Sequence, residues 1–290
     1  MIAAPRRSFS VSIPGRAPLV LGPRTLLMGV INVTPDSFSD GGKALEPAQA
    51  LDIALAMEAA GADIIDVGAE STRPGARPVS ATDEIARALP VLKAMTPRIK
   101  VPISIDTYKA AMARVALDEG ATMINDISAF GYDPELAPLV AARGVPAVVM
   151  HTRGRPDDMY AHADYVDVVG DVINDLQRSI SHAHGLGVRF EQLIVDPGLG
   201  FAKRAQQSMA ALVGLERLAE LGLPILVGPS RKSFLAAATG PLQTEQRDWP
   251  TAAAVTAAVL GGAHIIRVHA VEKMIHVTRV ADAVRHAVLR

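Results

Sequence analysis

Val101-Pro-Ile-Ser-Ile-Asp106, a helix-forming stretch that stops at Gly120, and then Ala121-Thr-Met-Ile-Asn-Asp126 together decide the fold. A short apolar run ends in a carboxylate, residues 109–120 close on glycine, and the next apolar run ends in Asn125 and Asp126. Glycine is the usual helix terminator because it takes the left-handed turn without strain. The unit is therefore strand, helix, strand, with a chemically capable residue at each strand tip. Outward from this stretch the pattern recurs. Apolar runs at 25–31, 63–65, 146–150, 193–195, 224–227 and 263–266 end in Asn32, Asp66, His151, Asp196, the Gly228–Lys232 turn, and Arg267 with His269. Helical segments are expected at 47–61, 81–95, 109–120, 134–144, 166–185, 209–222, 230–239, 250–261 and 271–289. Strand and helix alternate at roughly 30–35 residues per repeat, as βα units do. Polar tips at the C-terminal end of every strand are how an α/β (β/α)8 TIM barrel builds an active site.

Length and composition agree. One barrel accounts for 290 residues, so a single domain spanning 1–290 is expected. Its first 24 residues read as an extension, in which 9–12 and 18–21 form a short N-terminal β-hairpin broken by Pro14-Gly15 and set against the barrel's N-terminal mouth. Hydrophobic residues at 49% and charged residues at 20% suit a large core. A net charge of −1 provides no field for nucleic acid or an anionic membrane, so neither partner is expected. The absence of cysteine excludes disulfides, thiolate zinc sites and cysteine nucleophiles, and fits a reducing cytoplasm. The opening MIAAPRRSFS has no signal-peptide apolar core, and no apolar run reaches the roughly 18 residues of a membrane span.

The residues at the strand tips fall into groups by chemistry. Asp106, Asn125 and Asp196 match a flat, nitrogen-rich heterocycle, because ring N–H and amino groups donate, carboxylates accept and a carboxamide does both. Adjacent strand residues face opposite ways, so Asn125 is assigned to the interior and Asp126 to the loop that follows. Lys232, Arg267 and His269, with Arg73 from a long loop, suit a phosphate or diphosphate, and Arg267 and His269 share one strand face. Asn32 offers a hard oxygen to Mg²⁺, with phosphate and water completing the octahedron. The turn Gly228-Pro-Ser-Arg-Lys-Ser233 leads into a helix whose start would receive an anion, with Ser233 beside it to help bind a carboxylate. Long Gly- and Pro-rich segments at 34–46 and 70–81, carrying Asp36, Asp40, Arg73 and Arg77, read as binding loops. His162, His182, His184, His276 and His286 fall on helices or their flanks and are read as solvated or packing residues.

Seven ordered blocks carry a family resemblance. They are Met28-Gly-Val-Ile-Asn-Val-Thr-Pro-Asp-Ser-Phe-Ser-Asp-Gly-Gly42, Gly68-Ala-Glu-Ser-Thr-Arg-Pro-Gly-Ala76, Ser104-Ile-Asp-Thr107, Asn125-Asp-Ile-Ser128, Val195-Asp-Pro-Gly198, Ser230-Arg-Lys-Ser233 and Arg267-Val-His269. The chain resembles the dihydropteroate synthases. The resemblance implies a TIM-barrel homodimer of folate biosynthesis that joins 6-hydroxymethyl-7,8-dihydropterin diphosphate to 4-aminobenzoate. Carried over by motif, Asp106, Asn125, Asp196 and Lys232 would hold the pterin. Asn32, Arg267 and His269, with Thr72 and Arg73 nearby, would hold the diphosphate and Mg²⁺. Arg73, Pro74, Phe201 and Ser233 would form the aminobenzoate site, where sulfonamides also bind. Asp106, Asp196, Lys232, Arg267 and His269 would carry the chemistry. Departures from the family pattern are Thr152 after His151, Tyr160 after Met159, Ala202 within Gly198-Leu-Gly-Phe-Ala-Lys203, and Ala270 where an Asp is usual. Two other readings share the pterin group. A methyltetrahydrofolate-dependent methyltransferase would not need the Arg267–His269 pair, and in a catalytically silent pterin-binding paralogue the complete set of chemical residues would have no use.

Overall fold

The computed structural model describes residues 3–34 and 46–288. Eight parallel strands lie in the order β8-β7-β6-β5-β4-β3-β10-β9. They are β3 (Leu26–Asn32), β4 (Ile64–Gly68), β5 (Ile103–Asp106), β6 (Met123–Asp126), β7 (Ala147–Met150), β8 (Leu193–Asp196), β9 (Leu226–Val227) and β10 (Ile265–Val268). A bridge between Val195 and Ile225 closes the ring. Between strands run α1 (Pro47–Ala59), α2 (Ala81–Met95), α3 (Ala110–Asp118), α4 (Leu136–Arg143), α5 (Val168–Gly185), α6 (Ala205–Val213), α7 (Leu215–Leu218), α8 (Ala236–Thr239) and α9 (Asp248–Leu260), and α10 (Val271–Val288) follows the last strand. The expected barrel is present. So is the hairpin, whose β1 (Phe9–Val11) and β2 (Leu19–Leu21) pair antiparallel.

Strand alternation sorts every side chain. Leu27, Ile65, Ile105, Ile124, Val149, Val195 and Ile266 face outward and pack on Ala54, Ala88, Leu92, Met112 and Ala113 of the helices. Inward, the deep layer is apolar: Leu26, Ile64, Met123, Val148, Ile194, Leu226 and Ile265 form one cluster with Val11 and Leu21 of the hairpin. The hairpin thus corks the N-terminal mouth, and each fully buried aliphatic there contributes about 1.5–3 kcal/mol. The same parity puts Asp66, Asp106, Asn125, Asp196 and Arg267 one or two layers higher, toward the open end.

Three expectations are corrected. The run at 63–65 does not end at Asp66; β4 continues to Gly68, so Asp66 is an interior residue rather than a tip. The helix expected at 209–222 is broken at Gly214, where an added Cβ would lie 2.5 Å from Val169 of α5, so close helix contact replaces a continuous turn. The helix expected at 230–239 is only a 3-10 turn at Ser233–Leu235 and the four-residue α8, ending at Gly240 with φ +74. That segment is too short to act as an anion-binding helix start. The loop at 34–46, with Asp36 and Asp40, has residues 35–45 outside the described residues.

His264 knits the closed end together. Its Nδ1 accepts from the Ile225 N–H at 3.0 Å and its Nε2 donates to the Arg7 carbonyl at 3.0 Å. Burial, aided by Arg6 and Arg285, lowers its pKa to about 4 although the Arg7 carbonyl favours the charged ring. The unfolded chain takes this proton near 6.5, so stability is lost as pH falls from 6.5 toward 4, by about 1.4 kcal/mol per pH unit. The deficit of His264→Asn against the wild type, from urea midpoints, is therefore expected to shrink by about 1.4 kcal/mol per unit between pH 6.5 and 4.5. A deficit constant with pH would show that the ring is protonated in the folded protein.

Candidate active site

The open mouth is floored by a chain of charged hydrogen bonds. Asn125 Nδ2 donates to Asp66 Oδ2 at 3.0 Å. Arg267 donates from Nε to the same oxygen at 2.7 Å and from Nη2 to Asp106 Oδ2 at 2.7 Å. Four residues from β4, β5, β6 and β10 are thereby tied together across the barrel. Register explains why they meet: Gly68 pairs with Asp106 and Asp106 with Asn125, so successive strands present their inward residues at nearly one height. Burial lowers the Arg267 pKa, but Asp66 and Asp106 more than reverse this and hold the guanidinium charged. Burial pushes the Asp106 carboxyl upward, Arg267 draws it back, and Asp66 adds to the push.

Asp196 and Lys232 face this floor from the other side. Asp196 Oδ1 accepts from the Gly198 N–H at 2.7 Å. Burial raises the Asp196 pKa, and Lys232, Lys203 and Arg267 oppose it. Burial lowers the pKa of Lys232, countered by Asp196. The Lys232 ammonium sits 3.9 Å from the centroid of the Phe201 ring, a cation–π contact that gives the wall a flat aromatic face. Ser233, exposed, follows directly. Asn32 completes the rim: a Cβ placed on Gly68 would lie 3.7 Å from Asn32 Oδ1 and 3.6 Å from Asp106 Oδ2.

His269 stands above Arg267 on the same face. Its backbone N–H donates to Ser230 Oγ at 3.2 Å, and its Nδ1 lies 2.9 Å from the same hydroxyl. Burial, with Arg267, Arg231, Lys232 and Arg73 around it, lowers its pKa to about 3, so the ring is neutral. Above the Asp floor, the Arg267 edge, Lys232 and Arg73 raise the local positive potential around the neutral His269, which suits an anion at the rim.

The structure thus gathers Asn32, Asp106, Asn125, Asp196, Phe201, Lys232, Arg267 and His269. Thr72, Arg73 and Pro74 lie on the loop after β4, Thr72 half-buried and the other two exposed. They make no hydrogen bond to the cluster among the described residues, although Arg73 adds to the field at His269. That loop is anchored by Gly75 N–H on the Pro156 carbonyl at 2.8 Å, and at its base by Glu70, which accepts from Val79 N and Tyr108 Oη, both at 3.0 Å, and from Lys109. Asp126 faces out of the barrel as expected. Its carboxylate accepts from Ser128 N at 2.7 Å and Phe130 N at 2.6 Å, holding a turn in which Ala129 and Phe130 have positive φ.

Sequence reasoning missed the central part of Asp66. It was seen as a strand tip and given no partner. Parity was the available signal, since Ile64, Asp66 and Gly68 share a face once β4 runs to Gly68. It also passed over Lys203 and the role of His151. Among the departures, Ala202 is fully buried at φ 47, a left-handed residue bearing a methyl group. Ala270 immediately precedes α10, where an aspartate would have capped the helix.

With this geometry in view, three comparisons converge. Residues 28–269 match the family described as pterin binding enzyme. The dihydropteroate synthase of Synechocystis sp. is 45% identical over 262 residues, covering 90% of this chain and 91% of that protein. The Yersinia pestis dihydropteroate synthase, solved with a sulfonamide drug complex, superposes with a TM-score of 0.89 at 37% identity, covering 96% of this chain and 100% of that one. The Xanthomonas albilineans enzyme, solved with 4-aminobenzoic acid, superposes with a TM-score of 0.88 at 38% identity, covering 96% of this chain and 99% of that one. The barrel, its polar floor and these relatives agree: the chain belongs to the pterin-binding enzyme family, among the dihydropteroate synthases.

Proposed function

We propose that the chain condenses 6-hydroxymethyl-7,8-dihydropterin diphosphate with 4-aminobenzoate, giving 7,8-dihydropteroate and diphosphate. The observation that carries this reading is the Asn125–Asp66–Arg267–Asp106 floor facing Asp196 and Lys232. Asp106, Asn125 and Asp196 accept from and donate to the edge of the pterin, and Lys232 donates to its acceptor atoms. Arg267 has one guanidinium nitrogen, Nη1, outside its two carboxylate bonds, and this with His269 receives the diphosphate; Thr72 and Arg73 close on it from the loop. The C–O bond at the pterin methylene breaks, and its electron pair leaves with the diphosphate. The positive charge left on the methylene spreads into the ring, where the Asp106 and Asp196 carboxylates stabilise it. The neutral amine of 4-aminobenzoate, held between Phe201, Pro74 and Arg73 with its carboxylate at Ser233, forms the new C–N bond and releases a proton. No covalent enzyme intermediate is required.

Mg²⁺ belongs to this proposal. No group of three or more His, Asp or Glu among the described residues forms a metal cage. Magnesium does not need one, since it draws most of its oxygens from water and phosphate and takes one or two from protein. Asn32 Oδ1 at the rim suits that single role, and the ion would add positive charge to the leaving diphosphate.

The homodimer is likewise a proposal. Trp249, Val280 and Val284 are 85%, 66% and 41% exposed along a groove between α9 and α10 that Ala252, Ala253 and Val277 also line. Such a face fits a second copy of the chain. Val280→Asp is expected to shift the sedimenting species from dimer to monomer; an unchanged species would place the interface elsewhere. A cytoplasmic setting is also proposed, on the lack of cysteine; no helix among the described residues is long and apolar enough to cross a membrane.

The test is direct. Purified protein is mixed with the pterin diphosphate, 4-aminobenzoate and Mg²⁺, and release of diphosphate and formation of dihydropteroate are followed. Retained pterin binding without release would identify a catalytically silent paralogue.

A further inference from the structure

One buried side chain holds the loop after β8 from within. Lys203 is 1% exposed and heads the largest fully buried side chains among the described residues. Its Nζ lies 2.6 Å from His151 Nδ1, 3.1 Å from the Phe201 carbonyl, 3.2 Å from that of Gly198 and 3.4 Å from that of His151. Burial pushes the Lys203 pKa down to about 7, opposed first by Asp196. The three carbonyl oxygens can only accept, so Nζ donates to them, and in its ammonium form it donates to His151 Nδ1 as well. The ring proton then sits on Nε2 and is donated to Asp175 Oδ2 at 3.0 Å. Asp175 also accepts from Arg153 at 2.8 Å and from Arg178. Burial, with Lys203 beside it, lowers the His151 pKa to about 4, consistent with a neutral acceptor.

Packing alone does not account for this lysine. No carboxylate hydrogen-bonds to Nζ among the described residues, and a buried charge is more costly there than an apolar chain of similar volume. What the ammonium grips is informative. The Gly198 and Phe201 carbonyls are the two ends of the turn that presents the Phe201 ring to Lys232. The turn rests directly on the tip of β7, since a Cβ on Gly198 would lie 2.0 Å from the His151 carbonyl oxygen. From outside, Tyr165 Oη donates to the Ala202 carbonyl at 2.9 Å, and Gly200 N–H donates to Ser208 Oγ at 3.0 Å.

We propose that Lys203 is a positioning residue for the arylamine half of the site: it sets the 198–201 turn, and with it the Phe201 ring, without touching substrate. This rests on the assignment of Phe201 to the 4-aminobenzoate site. Lys203→Met removes the donated protons at nearly constant volume. It is expected to raise KM for 4-aminobenzoate about tenfold or more, while kcat and KM for the pterin diphosphate stay within about threefold. His151→Asn keeps an acceptor where Nδ1 stood and retains the wild-type KM, whereas His151→Leu raises it. A folded, active Lys203→Met with unmoved KM for 4-aminobenzoate overturns the proposal. Should that variant fail to fold, ¹⁵N spectra of the wild-type histidines decide: His151 bare at Nδ1 and protonated at Nε2 supports it, and a proton on Nδ1 overturns it. A wild type that releases no diphosphate would instead defeat the functional reading on which this one depends.

Discussion

Arg267→Met is expected to lower kcat by about 10³-fold and folding stability by about 3–5 kcal/mol. The two losses share one cause. The guanidinium is bonded at 2.7 Å to Asp66 and at 2.7 Å to Asp106. The Asp66 side chain is completely buried, and its Oδ1 has no hydrogen-bond partner among the described residues. Without Arg267 that carboxylate keeps only the Asn125 amide at 3.0 Å, and removing one member of a buried pair strands the other charge. The rate falls further because the departing diphosphate loses the charged Nη1 donor. Urea midpoints and single-turnover rates measure the two effects separately. Asp66→Asn combined with Arg267→Met is expected to recover part of the stability but none of the rate, since contacting residues couple. An Arg267→Met protein as stable as the wild type would mean that the floor does not hold together as described.

Asp106→Asn is expected to reduce kcat by about 10²–10³-fold with little change in thermal midpoint. The amide is nearly isosteric and its oxygen can still accept from Arg267, so the floor survives. What vanishes is the negative charge that Arg267 helps Asp106 keep against burial, aimed at the cationic pterin where little water screens it. The loss should appear in the chemical step, with pterin affinity altered less. A kcat within a few-fold of wild type would remove Asp106 from the chemistry.

Much of this was legible in the chain because two periodicities act together. Strand tips were recognisable wherever an apolar run stopped at a polar residue, as at Asp106, Asn125 and Asp196, and parity alone separated Asn125 from Asp126. Legibility failed where tertiary contact overrides local pattern. The strand at Ile64–Gly68 contains a buried aspartate in its middle, which looks like an ending until Arg267 and Asn125 arrive from distant strands. The helix break at Gly214 is set by Val169 of α5, and the shortness of α8 by the turn at Gly240, neither visible in apolar spacing. Lys203 closes the Gly198–Lys203 stretch, and nothing in its local spacing marks it as buried. Only the fold reveals that four inward-facing acceptors surround it.

The hairpin that packs Val11 and Leu21 against the deep apolar layer makes the barrel a blind shaft. Both reactants and both products must use a single doorway. In the proposed arrangement, with the bicyclic reactant at the bottom and the arylamine above it, early arrival of the arylamine would obstruct the shaft. Turnover is then expected to be sequential, with the smaller diphosphate free to depart while the joined product still fills the passage, and with accumulating product competing with the incoming pterin rather than binding beside it.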